Sequence, residues 1–142
     1  MKRCKWTATI KDEEYLEYHD KEWSGAPLTK GRDLFELLCL DGAQAGLSWQ
    51  TILKKRKNYR KVFKNFDIES VVKMNVGDVD MTGIVKHHGK VKSVIQNALS
   101  AQTVVGEFGS LHAFFKNLLE GVDVCDPAVT QAYVLLCISL IQ

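Results

Sequence analysis

A chain of 142 residues that is 46% hydrophobic and 25% charged has the size and apolar content of one compact domain able to bury a continuous core. Its formal charge of +2 is too small to imply nucleic-acid binding by itself, so any electrostatic reading rests on where the charges cluster. The opening MKRCKWTATIKDEEY has basic residues but no apolar core region, and no run of roughly 18 apolar residues follows, so a soluble cytoplasmic protein without membrane association is expected.

In chain order the pattern is helical, with two prolines and no sustained alternation of apolar and polar residues. Asp12 or a neighbour is placed to cap a first helix on which Tyr15, Tyr18 and His19 share a face. Residues 24–31, SGAPLTKG, read as a loop. The next helix, about Arg32 to Ala43, carries Leu34, Leu37, Leu38 and Asp41 at helical spacing, which puts a carboxylate on an apolar stripe. Gly46 breaks the chain, and Ser48 starts a helix with Trp49, Ile52 and Leu53 inward and Lys54, Lys55, Lys57, Arg60, Lys61 and Lys64 on a solvated face. Asp67 begins the short helix IESVVKM. The turn TGIVKHHGK, residues 82–90, joins it to a helix with Val91, Val94, Ile95 and Ala98 inward. Ser110 caps a segment bearing Leu111, Phe114, Phe115, Leu118 and Leu119, and the chain closes on AYVLLCISLIQ. Four cysteines lack CxxC spacing, and Cys39 and Cys137 lie in apolar surroundings, so reduced thiols are expected.

Several features carry chemistry, each beside a plainer alternative. Glycines in GIVKHHGK let a backbone turn present amides to a phosphate, with Lys86, Lys90 and Lys92 nearby; the alternative is an ordinary helix connection. Seven of the eleven residues from Lys54 to Lys64 are basic, which is either a phosphate-facing surface or a solvated helix face. Trp6, Tyr15, Tyr18, Trp23 and Trp49 surround Asp41 in the first third of the chain. A cationic heterocycle stacked on such rings gains about 0.5–2 kcal/mol, while an aromatic core is the plainer reading. Asp41 is either a structural acid or an acceptor for the N–H groups of a base. Cys4 and His19 are competent zinc ligands, but two ligands do not close a structural site.

The segments RCKW (3–6), YLEYHDKEW (15–23), LFELLCLDGAQAGLSWQTILKKRKNYRKVFKNFD (34–67) and GIVKHHGKVKSVIQNA (83–98) resemble the DNA-3-methyladenine glycosylase I, or Tag-type, family of base excision repair. The resemblance is good to about Phe115. It implies an all-α, helix-hairpin-helix glycosylase fold in a single domain over residues 1–142. Its expected substrate is double-stranded DNA with alkylated bases, bound by a monomer, and its reaction is hydrolysis of the N-glycosidic bond of flipped-out 3-methyladenine without a lysine Schiff base. By matching positions, Asp41 and Tyr18 read the polar edge of the base, Trp49 and Tyr15 stack on or line it, and Trp6 and Trp23 wall the pocket. Gly89, Lys86 and Lys90 belong to the hairpin that holds DNA. The turn Gln44-Ala45-Gly46-Leu47 after Asp41 is expected to press into the vacated stack, with Leu47 as the wedge. Cys4 and His19 match two ligands of a structural zinc.

Two departures from the family pattern bear on activity. The family's CLEG is CLDG here, which shortens the acid by one methylene, roughly 1.5 Å of reach. The family also closes its zinc with one histidine and one cysteine from a tail beyond a helix like CISLIQ, and the region between Leu119 and Tyr133 is contracted. Cys125 and Cys137 do not match those ligands and His112 is poorly placed, so a C-terminally truncated member with an incomplete zinc site is expected. The alternative to an active glycosylase is a non-catalytic helical DNA-binding or structural remnant; a small zinc-binding module is the third reading.

Overall fold

The computed structural model describes residues 3–23 and 31–118, and its elements there are helical throughout. A 3-10 turn, Lys5–Thr9, precedes α1, Glu13–Tyr18, which runs on into a π-helical stretch, His19–Trp23. Then come α2, Gly31–Gln44, α3, Trp49–Val62, and α4, Ile68–Val72. Helix α5, His88–Phe108, is the longest of the described helices, and α6, Leu111–Leu118, follows it. No described helix is long and apolar enough to cross a membrane.

Local chemistry sets these boundaries. The Asp12 carboxylate accepts the amide of Tyr15 at 3.1 Å, Ser48 Oγ that of Thr51 at 3.1 Å, Asp67 that of Ser70 at 3.0 Å and Ser110 Oγ that of Ala113 at 3.0 Å. Each satisfies one of the orphan donors at a helix start. Gly109 ends α5 in the left-handed region, φ 78°, where a side chain would be strained.

Helix α2 is the central element, packing on α3, α5 and α6, and α4 packs on α5. Its fully buried face is Phe35, Glu36, Cys39, Leu40 and Ala43. The expected stripe of Leu34, Leu37, Leu38 and Asp41 is only partly buried, because the helix is enclosed on several sides and the deepest face is rotated from that stripe. Phe63, Phe66, Ile52, Val91, Val94 and Ala98 complete the core around it.

The connection into α5 also differs from a direct hairpin. A 3-10 turn, Val76–Asp78, intervenes after α4, and α5 already begins at His88, with His87 as its cap. Gly89 and Lys90 therefore occupy the first helical turn. The expected stretch AYVLLCISLIQ and the Leu119 position lie outside the described residues.

Candidate active site

The N-terminal segment lays a line of rings against the start of α3. Trp49 and Tyr18 have centroids 5.3 Å apart, Tyr18 and Tyr15 6.4 Å, Tyr15 and Trp6 5.7 Å, and Trp6 meets the His19 ring edge-on at 5.3 Å. Asp12 fixes this segment twice, capping α1 and accepting a hydrogen bond from Gln50 of α3. Trp6, Tyr15, Tyr18 and Trp49 are thus brought together as expected, while the side chain of Trp23 lies outside the described residues. A base sandwiched between two rings needs them about 7 Å apart, two contact layers of ~3.5 Å. At 5.3 Å the Trp49–Tyr18 pair is one wall, not two jaws. The indole N–H of Trp49 is buried and has no hydrogen-bond partner among the described residues, an uncompensated donor in the wall.

Asp41 is in the last turn of α2, near this wall. Burial pushes its carboxyl up to about pKa 7. The Tyr18 phenol is raised, first by its own burial and then by the negative charge of Asp41, which places the two groups in one electrostatic environment. Burial also raises Tyr15. An acid whose pKa is displaced to neutrality, beside aromatic rings, has the setting of a functional group.

The turn after Asp41 exposes Leu47, 40% accessible. It is tight: the Leu47 amide donates to Gln44 O at 2.6 Å and Gly46 has φ 76°. Across from it, α5 starts with the His87 ring accepting the Lys90 amide at 3.3 Å. A Cβ on Gly89 would lie 2.9 Å from that ring, so the glycine leaves room for the capping imidazole. The amides of Val85 and His87 are occupied, by Tyr59 Oη at 3.3 Å and Val85 O at 2.9 Å. No acceptor among the described residues takes those of Lys86, His88 and Gly89. Lys86 is exposed. Lys90 is partly buried, and its Nζ donates to Ala43 O and Ala45 O, both at 2.6 Å.

The basic run is likewise partly internal. Glu36 is 2% exposed and accepts from Arg56 Nε at 2.8 Å and from Arg60 Nε at 2.6 Å and Nη2 at 3.0 Å. Arg56 also forks onto Glu22, at 2.8 and 2.7 Å. Sequence reasoning missed Glu36, although its i, i+3, i+4 spacing to Cys39 and Leu40, and an Arg pair spaced i, i+4 on the next helix, were the available signals.

Cys4 and His19 adjoin, the Cys4 amide 3.4 Å from His19 Nε2, and His19 is fully buried with Nδ1 3.0 Å from Asp20 Oδ1. Arg3, forked onto Asp20, and then His19 hold that carboxyl down to about pKa 2. Cys39 is a free, buried thiol, as expected of a cysteine in apolar surroundings. Among the described residues no group of three or more His, Cys, Asp or Glu is arranged to hold a metal.

With this geometry in hand, comparison with known proteins is specific. The methyladenine glycosylase family profile matches residues 6–135. The DNA-3-methyladenine glycosylase 1 of Escherichia coli K12 is 48% identical over 102 residues, 69% of this chain and 53% of that one. The DNA-3-methyladenine glycosylase of Haemophilus influenzae is 43% identical over 100 residues, 68% of this chain and 52% of that one. The chain therefore spans about half the length of these relatives. A Tyr-to-Phe variant of 3-methyladenine DNA glycosylase I in complex with 3-methyladenine superposes with a TM-score of 0.75 at 37% identity, covering 85% of this chain and 66% of that one. A solution structure of 3-methyladenine DNA glycosylase I gives a TM-score of 0.72 at 32% identity over 100% of this chain and 89% of that one. The all-helical fold is that of these glycosylases, and the chain belongs to the methyladenine glycosylase family.

Proposed function

We propose that this chain is a monofunctional DNA-3-methyladenine glycosylase, hydrolysing the bond between 3-methyladenine and its deoxyribose to leave an abasic site. The observation that carries the reading is the Trp49–Tyr18–Tyr15–Trp6 wall with the partly buried acid Asp41 beside it. A base methylated at N3 is cationic and already a good leaving group, so modest help suffices. Rings recover the cost of unstacking through stacking and cation–π attraction. Ionised Asp41 accepts hydrogen bonds from the base's edge with Tyr18 and counters positive charge as the bond to the sugar breaks. Water supplies the hydroxyl that ends on the sugar. No lysine Schiff base is invoked.

The DNA partner is alkylated duplex, gripped through a helix-hairpin-helix. The open amides of Lys86, His88 and Gly89 at the start of α5 suit a phosphate oxygen, and Leu47 fills the gap left by the flipped nucleotide. The protein is proposed to work as a cytoplasmic monomer with one domain. A structural zinc site is incomplete on this reading: Cys4 and His19 supply two ligands where a closed site needs four, and among the described residues no group of three or more His, Cys, Asp or Glu is arranged to hold a metal. Metal analysis of the purified protein is expected to find less than one zinc per chain; a stoichiometric content overturns that point.

Release of 3-methyladenine from methylated DNA, measured for the protein beside Asp41→Asn and Trp49→Ala, tests the activity. Release by the protein, reduced in both variants, is expected. Equal, null release by all three leaves the second reading, a non-catalytic DNA-binding remnant. The observation in favour of that reading is Asp41 itself, which with a pKa of about 7 is half protonated at neutrality.

A further inference from the structure

We propose that Lys90 is a positioning residue that locks the Gln44–Ser48 wedge turn to the start of α5, and not a phosphate ligand. This rests on the glycosylase reading above and assigns the residue a place in base extrusion. A helix leaves its last four carbonyls without intrahelical donors. At the end of α2, the amides of Ala45 and Leu47 take Gly42 O, at 3.4 Å, and Gln44 O. Ala43 O, another of the four, and Ala45 O in the turn itself both accept from the Lys90 ammonium at 2.6 Å. The contact joins residues 47 and 45 positions apart in the sequence.

The electrostatics favour this arrangement. The carbonyl end of α2 is the negative pole of a 14-residue helix and the first turn of α5 is the positive pole of a 21-residue one. A cation rooted in the second and seated on the first ties the poles together. Partial burial lowers the Lys90 pKa, in keeping with an ammonium seated on two carbonyls. The same first turn carries the open amides of His88 and Gly89. Phosphate grip and the exposed Leu47 side chain are therefore held in one rigid relation, with Lys90 as the strut between them. A wedge so fixed presses on the stack when the backbone is seated, instead of yielding.

Lys90→Met keeps the stem and removes charge and donors, whereas Lys90→Arg keeps charge but replaces a point ammonium with a planar fork. For a strut, both variants speed hydrogen exchange of the Ala45 and Leu47 amides. Single-turnover release of 3-methyladenine from duplex then falls by about ten- to a hundredfold, the scale of a small misplacement, and falls more than release from single strands. The slope of log Kd against log salt stays as in the parent protein. For a phosphate ligand, Lys90→Met makes that slope shallower by about 0.9, Lys90→Arg retains binding, and the two amides stay protected; that pattern overturns the proposal. If the parent protein releases no base from any DNA, the glycosylase reading fails, and the amide exchange alone decides whether Lys90 is a strut.

Discussion

A carboxyl held near neutrality has a cost that is readable in stability. Asp41 has a folded-state pKa of about 7 against about 3.9 in an unfolded chain. Between those values the folded state binds the extra proton, so the contribution of this one group to stability is highest below about pH 4, declines as pH rises towards about 7, and levels off at its lowest thereafter. Asp41→Asn removes the penalty while keeping the shape. It is expected to be more stable than the parent at pH 8 by a few kcal/mol, about three pKa units at ~1.4 kcal/mol each before solvent access reduces it. The difference should vanish by about pH 4, the unfolded value. Urea denaturation of both proteins at the two pH values measures it; an equal gap at both would show that the carboxyl is not destabilised by burial. Activity follows the opposite course if the ionised acid is the working form, rising with pH through about 7, the Asp41 value. The methylene missing from CLDG is a separate matter of reach, so Asp41→Glu is expected to raise base release severalfold without moving the affinity for undamaged duplex, as measured by single-turnover kinetics and titration. A fall in release would place the aspartate in a pocket adapted to it.

At the scale of elements, the turn before α5 depends on α3. Gly83 has φ +80°, and a Cβ there would lie 2.7 Å from Asn58 Nδ2, which itself donates to Gly83 O at 3.2 Å. Gly83→Ala therefore incurs left-handed strain of roughly 1–2 kcal/mol and also displaces Asn58. In an Asn58→Ala background only the strain should remain, so a double-mutant cycle by urea denaturation is expected to show coupling above about 0.5 kcal/mol. Additive effects would mean the turn moves freely of α3. These elements also show what the sequence could and could not disclose. Asp12, Ser48, Asp67 and Ser110 were legible as caps, since each acts on an amide three residues away. The aromatic wall was legible because its residue types are unusual together and match a family pattern. Lys90 and Glu36 were not, because their partners are remote in sequence, and a lysine near a glycine turn or a glutamate on a lysine-rich protein reads as solvated until the chain is folded. The rotation of the α2 face had the same origin: an element buried on several sides has no single stripe to find.

For the molecule as a whole, the position of the N-terminal segment decides whether there is a pocket. That segment is docked by rings at one end and by charge at the other. Arg56 reaches from α3 to Glu36 of α2 and Glu22 of the π-helical stretch, so three elements meet at one guanidinium. Burial works to raise the Glu36 carboxyl, but the hydrogen bonds and charges of Arg56 and Arg60 outweigh it and hold the pKa below the ordinary value. Such a network adds little over an apolar core of the same shape, yet losing one member is costly because the others are left buried. Arg56→Met is expected to cost about 3 kcal/mol, at the lower end for a broken buried pair because Glu36 keeps Arg60. The sign of its pH dependence is opposite to that of Asp41. A depressed carboxyl contributes stability that is present above its unfolded pKa and lost as pH falls through the folded one, so the deficit of Arg56→Met should shrink at pH 3 compared with pH 7, on either side of a glutamate's ordinary ~4.3. Urea midpoints at both values measure this, and amide exchange over His19–Trp23 locates it. A deficit that is the same at both pH values, with those amides still protected, would mean that the arginine acts through its packed stem and that the aromatic wall stands without it.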